Sequence, residues 1–436
     1  MKSSGRLAAA IEVLTDFETR RVPLKTAMGD WGRQNRIAGA KDRAWISGLC
    51  LDVLRKRRSL SAQMGDDSAR AAALAALKSI WGMSADEIEE VASEEPHGIG
   101  ALTPAEKNGL AGDPPASVTA EIAGDYPDWL SPHIQRVFGS EAAAIMQAFT
   151  ARADVDLRMN TLKASTDQSL KALAKIKGED APVLVTGARV PAPPAQERAA
   201  AVTVIPAFNK GWVEVQDIGS QIAASGAGDI KGKQVLDYCA GGGGKTLALS
   251  ALMDNTGQLY AYDRDPRRLK PLFHRAKRAG LRNLQVRSPA GNEGMDDLEG
   301  KMDVVFVDAP CTGAGTWRRH PDTKWRLTDK QLETRMREQD QVLAQAAHYV
   351  RPGGRLVWVT CSFLMEENED RLAAFLEASP EFTRQRAIDA ITQSKLLREN
   401  GAEVLANCET SLGDLRLTPD KIRTDGFFIC VLGRKA

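Results

Sequence analysis

The sequence predicts a multidomain α/β protein. Its C-terminal half reads as a doubly wound, mostly parallel sheet, preceded by a small α/β segment and an all-helical N-terminal region. Three observations carry this. From about residue 216, apolar strand-like runs alternate with helical stretches, the pattern of strands joined by crossover helices. A glycine-rich loop, Gly241 to Gly244, follows the first of these runs and opens a helix. Residues 1 to 145 instead repeat their apolar positions at helical spacing.

Leu7, Ile11 and Leu14 define the first helix, and Trp45, Leu49 and Val53 define another over Lys41 to Leu54. That helix ends in Arg55-Lys56-Arg57-Arg58, which reads either as a solvated helix end favoured by the macrodipole or as a phosphate contact. An Ala/Leu-rich helix covers Ala69 to Ile80, and frequent Pro and Gly from Glu94 to Ser117 predict a long loop. Residues 150 to 215 form a small α/β subdomain. It has strands at Val155 to Asn160, Val202 to Ile205 and Gly211 to Val215, and a helix over Ser165 to Lys177. Residues 216 to 436 hold strands at Gln234 to Tyr238, Gln258 to Tyr262, Leu284 to Arg287, Asp303 to Val307, Arg355 to Thr360 and Phe427 to Leu432. Helices are expected at Leu247 to Met253, Pro266 to Ala279, Asp329 to Tyr349 and Glu366 to Leu376.

The length allows two or three domains with a substantial core. A net charge of +1 provides no global attraction to nucleic acid or membrane, so anion binding must come from local clusters. No run reaches about 18 consecutive apolar residues, which argues against a membrane span, and the N-terminus reads as an amphipathic helix rather than a signal peptide. Six cysteines without a C-x-x-C pair give no support for a metal site and suit free thiols in a reducing cytoplasm.

The glycine loop admits competing readings. A phosphate-binding loop of the Walker type needs glycine where Cys239 stands, and the G-x-G-x-x-G fingerprint fails at Thr246. S-adenosylmethionine is the third reading, supported by Asp263 at the end of the next strand, where an acid can accept hydrogen bonds from ribose hydroxyls. A ligand-free glycine turn is the fourth. Two cysteines, Cys311 and Cys361, each follow a strand and stand beside turn-forming residues. If those strands are neighbours, both thiols open on one edge. Past Cys311 lies a cluster of cations and aromatics: Trp317, Arg318, Arg319, His320, Lys324, Trp325 and Arg326.

The stretches DYCAGGGGK, VDAPCTGAGTWRRHPDTKW and VTCSFLMEENE resemble the signature motifs of the Sun/Fmu family of RNA cytosine-C5 methyltransferases. LRMNTLKAS, VQDIGSQ and TDGFF support the match, which covers most of residues 155 to 436. KDRAWISGLCLDVLR is similar to the NusB-like RNA-binding domain of the bacterial 16S rRNA members. The resemblance implies a Rossmann-like methyltransferase domain acting on RNA, most of all 16S rRNA, as a cytoplasmic monomer. It implies Cys361 as nucleophile and Cys311 as the residue that assists adduct breakdown. Asp308 would touch the cytosine edge or the cofactor, and Lys245 is counted with it among the catalytic residues. Cys239, Ala240, Gly241, Gly242, Gly243, Gly244, Lys245 and Asp263 would cradle S-adenosylmethionine. Arg158, Asn160, Arg318, Arg319, His320, Lys324 and Arg326 would contact RNA. The covalent step has a chemical reason. Carbon 5 of cytosine is a poor nucleophile until a thiolate adds to carbon 6 and makes the ring an enamine.

Three departures from the family pattern stand out. Gly241 and Gly242 replace the usual Ala-Pro, which implies a loop with more freedom to lose and weaker cofactor affinity. Ser288-Pro289-Ala290 replaces an acid expected after the third strand, the next acid being Glu293. PDK, Pro419 to Lys421, replaces a Pro-His before TDGFF. The first two motivate an alternative, an RNA-binding assembly factor without efficient catalysis. A nucleotide hydrolase rests on GGKT alone.

Overall fold

The computed structural model describes residues 1–112, 118–197, 201–288 and 294–436, and the chain divides into two compact units. One unit comprises Met1–Arg152, a short stretch from Pro193 and the segment Trp317–Thr328. Its centre is the helix Ala69–Ser79, in which every residue from Ala71 to Leu77 is fully buried. Five alanines in that run keep the side chains short, so the helices Ser3–Arg20, Ala40–Arg55 and Arg57–Met64 pack closely around it. Ser68 starts the helix by accepting the Ala71 N–H at 3.1 Å.

The expected loop from Glu94 to Ser117 contains a helix, Pro104–Ala111. Thr103 accepts the Glu106 N–H at 3.2 Å, and the Glu106 carboxylate accepts the Thr103 N–H at 2.8 Å, which is a capping box. Pro104 occupies the first turn, where its missing N–H costs nothing. Residues 113–117 lie outside the described residues. The basic tetrad is neither a freely solvated end nor an open phosphate contact. Arg55 is buried and donates to the Arg318 carbonyl, Arg57 pairs with Glu18 at 2.7 Å, and Arg58 pairs with Asp128 at 2.7 Å.

The second unit contains two sheets. The small one has the antiparallel order β2-β3-β1-β4, from β1 (Val155–Met159), β2 (Glu179–Asp180), β3 (Gly187–Val190) and β4 (Val213–Val215). Leu157, Met159, Ala188 and Val213 meet Leu173 of the helix Thr166–Leu173 in its core. Val202–Val204, expected as a strand, is a 3-10 turn leading into a short helix that starts at Pro206.

The large sheet runs β10-β12-β9-β8-β5-β6-β7, with β11 paired to β12. Its strands are β5 (Gln234–Asp237), β6 (Gln258–Tyr262), β7 (Leu284–Arg287), β8 (Met302–Asp308), β9 (Val350–Thr360), β10 (Phe382–Gln385), β11 (Leu415–Leu417) and β12 (Phe427–Arg434). β5 to β9 are parallel, while β10, β11 and β12 are antiparallel additions at one edge. Alternation places Val304, Phe306, Val357 and Val359 in one core layer and Val305, Val307, Leu356 and Trp358 in the other. Helix Ile218–Ser225 covers the first layer, and helices Asp329–Ala347 and Glu369–Ala378 cover the second. Strand order reverses between β5 and β8, and the loops at their carboxyl ends form the crevice where such sheets bind ligands.

Arg158 and Asn160, expected at the RNA, are instead structural. Asn160 is 1% exposed and donates to the Gly211 and Ala279 carbonyls at 2.8 Å each. Arg158 is 5% exposed and donates to Gln216 at 2.9 Å. Neither can meet phosphate while these bonds hold. Asn160→Ala strands two buried carbonyls and is expected to destabilise the protein by about 1–3 kcal/mol in urea unfolding. RNA affinity of the folded fraction is expected to be unchanged, as filter binding would show.

Candidate active site

Each functional side chain sits at the carboxyl end of β5, β6, β8 or β9. β8 and β9 are parallel neighbours with Asp308 opposite Val359. Cys311 and Cys361 leave these two strands on the same edge, and their sulfurs are 3.3 Å apart. Both cysteines are half-buried. The Cys311 thiol is pushed well above its usual value, first by its hydrogen bond with Cys361 and then by burial. Cys311 therefore holds its proton, within hydrogen-bond distance of the Cys361 sulfur.

Two buried residues fix the loop of Cys311. Glu367 accepts from the Thr312 N–H at 2.7 Å and from the Thr312 hydroxyl at 2.6 Å, and Gln339 donates to the Pro310 carbonyl at 2.9 Å. The Cys361 loop is pinned by Asn368, which is fully buried. Asn368 accepts the Thr360 hydroxyl at 2.6 Å and donates to the Ser362 and Leu364 carbonyls. Gly315 ties the two loops to the C-terminal TDGFF stretch. Its N–H bonds the Cys361 carbonyl at 2.9 Å, and its carbonyl accepts the Gly426 N–H at 2.7 Å. A Cβ at Gly315 would lie 2.0 Å from the Gly426 carbonyl oxygen, so only glycine fits. Asp217 of VQDIGSQ accepts the Thr424 hydroxyl at 2.5 Å and the Asp425 N–H at 3.2 Å, holding the same stretch from the other side. Glu367, Asn368, Gln339 and Asp217 were not singled out from sequence. The two inside MEENE, Glu367 and Asn368, were detectable as acids and amides next to a reactive strand end.

Lys245 and Asp308 form an ion pair of 2.6 Å, with the Lys245 ammonium 5.4 Å from the Phe427 ring centroid. Burial opposes the charge on Lys245, but the charge and hydrogen bond of Asp308 outweigh it and hold its pKa above the usual lysine value. Asp308 stays a third exposed and is available to a ligand. The glycine loop fits a nucleotide-like group. Gly241 and Gly243 have φ of +49° and +84°, values that favour glycine. A Cβ on Gly243 would strike Leu272 at 2.3 Å, whereas one on Gly244 would meet nothing within 4 Å, leaving open space at the helix N-terminus. Asp263 accepts the Gly241 N–H at 3.0 Å and pairs at 3.1 Å with Arg268, a long and largely exposed side chain that can yield to ribose hydroxyls. Ala240 is buried beneath the loop. The Cys239 thiol is pushed well up by burial and then by the surrounding acids, which keeps it neutral and a poor nucleophile. Pro289, Ala290 and Glu293, where the departure after the third strand falls, lie outside the described residues.

The cluster after Cys311 takes a different place. Trp317–Thr328 belongs to the helical unit. Arg318 and Lys324 are 3% and 2% exposed, and Lys324 donates to the Arg55 carbonyl at 3.2 Å between the Trp317 and Trp325 rings. Trp325 donates to the Leu54 carbonyl at 2.7 Å, and Asp322 accepts the Leu24 N–H at 3.2 Å. These contacts remove Arg318 and Lys324 from any open RNA path. Arg326 is half-buried and donates to the Arg21 carbonyl at 3.3 Å, Arg319 is half-buried, and His320 is exposed. Among the described residues no cluster of acids, histidines and cysteines could hold a metal ion, and no helix is long and apolar enough to cross a membrane.

Asp237, at the end of β5, is fully buried and accepts the Thr246 hydroxyl at 2.6 Å. Burial pushes its pKa up to about 7 from the ordinary 3.8. The folded chain therefore keeps a proton that the unfolded chain releases. The stabilisation is complete below about pH 4 and is lost as pH rises to about 7. Asp237→Asn is expected to flatten the fall of stability over that window, which reaches at most about 1.4 kcal/mol per pH unit. Urea unfolding at several pH values checks this, and equal slopes in both proteins would contradict it.

Comparison with known proteins agrees with this geometry. Residues 229–433 match the family model described as 16S rRNA methyltransferase RsmB/F, and residues 126–188 match the ferredoxin-like domain of the RsmF/B-like methyltransferases. The chain is similar to a probable ribosomal RNA small subunit methyltransferase B of Synechocystis, with 30% identity over 70% of this chain and 66% of the relative. It is similar to the ribosomal RNA small subunit methyltransferase B of Citrobacter koseri, with 32% identity over 61% of each chain. These matches span less than two thirds of the relatives' lengths. The crystal structure of NSun6 from Pyrococcus horikoshii with SFG shares the fold at a TM-score of 0.58 and 21% identity, covering 71% of this chain and 98% of that one. The two thiol-bearing loops, the glycine loop and the ferredoxin-like sheet thus stand in a chain that carries the methyltransferase and ferredoxin-like domains of the RsmB/F family.

Proposed function

We propose that this protein methylates carbon 5 of a cytosine in 16S rRNA through a covalent bond from Cys361 to carbon 6 of the base. The observation that carries the reading is the pair of sulfurs 3.3 Å apart at adjacent parallel strand ends, beside the open glycine loop. The family description and the relatives' names support 16S rRNA as the substrate. S-adenosylmethionine, held by Cys239 to Lys245 and Asp263, supplies an electrophilic methyl group when bound.

The chain's own residues divide the remaining work. Cys361 adds its sulfur to carbon 6, which makes carbon 5 nucleophilic. Asp308, paired with Lys245, accepts from the exocyclic amino group and orients the flipped-out ring. A solvent base then takes the carbon-5 proton, the electron pair of that bond restores the ring double bond, and the carbon–sulfur bond breaks. Cys311, holding its proton toward Cys361, stabilises the departing thiolate by hydrogen bonding.

Cys361→Ala is expected to lower methyl transfer from labelled S-adenosylmethionine to undermethylated small-subunit RNA by at least about a thousandfold, since the nucleophile is lost. Activity within tenfold of the parent would contradict the mechanism. Cys311→Ala is expected to accumulate a protein–RNA adduct that survives a denaturing gel. No shifted band in this variant would remove the release role.

A further inference from the structure

Residues 264–282 contain eight lysines and arginines and one acid, a net charge of +7 in a chain whose total is +1. They comprise the 3-10 turn Pro266–Leu269, the helix Lys270–Ala279 and its flanks. One face of this element is buried beside the glycine loop. Leu269, Leu272, Ala276 and Ala279 pack inward, and Arg275 donates to the Gly242 carbonyl at 2.7 Å. The opposite face carries Lys270, Phe273, His274 and Lys277, all exposed, at the i, i+3, i+4, i+7 spacing of one helical stripe.

The charges on this element fall into two sets. Arg264, Arg267, Arg268, Arg275 and Arg278 pair with Glu338, Asp265, Asp263 and Glu214. Lys270, Lys277 and Arg282 have no acid partner among the described residues, so their charge faces outward. Phe273 is 60% exposed and is the one exposed large aromatic among the described residues. A lone exposed apolar side chain needs no explanation, but an aromatic ring between two unpaired lysines on a basic stripe is the combination that single-stranded nucleic acid uses. Cations neutralise phosphates, while the ring offers a face on which any base can stack.

We propose that the Lys270–Phe273–His274–Lys277 stripe is a docking surface for an unpaired segment of substrate RNA. The inference rests on the RNA methyltransferase reading above and names a surface for it, which the burial of Arg158, Asn160, Arg318 and Lys324 leaves unassigned. A strand lying here would run beside the glycine loop, whose Gly243 packs on Leu272 of the same helix.

The test uses the full chain and a labelled 12-nucleotide single-stranded RNA, with affinity read by fluorescence anisotropy across a salt series. Lys270→Ala/Lys277→Ala is expected to weaken binding and to make the slope of log K against log salt shallower by about 1.4, two phosphate contacts being lost. Phe273→Ala is expected to weaken binding by about 5- to 150-fold with the slope unchanged. S-adenosylmethionine binding measured by calorimetry should be retained in all variants, showing that they fold. Affinities and slopes equal to those of the parent would overturn the docking surface while leaving the methyltransferase reading intact. A parent chain that binds no RNA would overturn both. Polyglutamate competing as well as unlabelled RNA, with no effect of Phe273→Ala, would mark the stripe as a site for an acidic protein instead.

Discussion

The parallel pairing of β8 with β9, Asp308 opposite Val359, is the constraint on which the site depends. Side chains alternate along a strand, so slipping either strand by one residue would exchange its two core faces and redirect the residue at its end. The slip is resisted by Val305, Val307, Leu356 and Trp358 on one side and Val304, Phe306, Val357 and Val359 on the other, all nearly or fully buried. In this register the two cysteine loops leave neighbouring strand ends. Glu367, Gln339, Asn368 and the Gly315–Gly426 contact then bring the sulfurs to 3.3 Å. A packed core thus sets a distance that loops alone could not hold.

Electrostatics give the two sulfurs different characters. Cys311 is fixed as the proton holder by its bond to Cys361 and by burial. The Lys245–Asp308 ion pair stands at the same strand ends, and Asp237 is fully buried with its pKa pushed up to about 7. Elsewhere the chain buries its cations with partners. Arg189 pairs with Asp156 at 2.7 Å within the small sheet, and Lys324 is enclosed by two tryptophans and a carbonyl. Such enclosed cations secure the fold, which leaves RNA contact to cations that the structure keeps outside.

Much of this was readable in the sequence. Strands β6 and β7 have the bounds expected from the alternation of strand-like and helical stretches, and the two thiols were expected on one edge if their strands are neighbours, which the β8–β9 pairing meets. Their ranking came from family resemblance, because spacing cannot show which sulfur holds the proton. The helix Pro104–Ala111 was missed because Pro104 was read as a breaker, although at the first turn it is a starter. The strands β10 and β11 were missed because they are short and pair only with β12 at the sheet edge, so tertiary pairing and not local pattern creates them. The cations of Trp317–Arg326 looked like an RNA surface in one dimension. Burial depends on what a segment packs against, and the chain returns this one to helices more than 250 positions earlier in sequence. The basic stripe at Lys270–Lys277 was passed over because Pro266 to Ala279 was read only as a helix between two strands.

In the proposed reaction Cys361 is the sulfur that bonds the base. A substrate RNA carrying 5-fluorocytosine at the target would hold the adduct, because fluorine stands where the hydrogen that must leave as a proton would be. Proteolysis and mass spectrometry of the trapped complex would then identify the attached peptide. The expected result is a methylated fluorocytosine on the peptide containing Cys361, with Cys311 free. Attachment at Cys311, or a methylated product with no protein bound, would contradict the account.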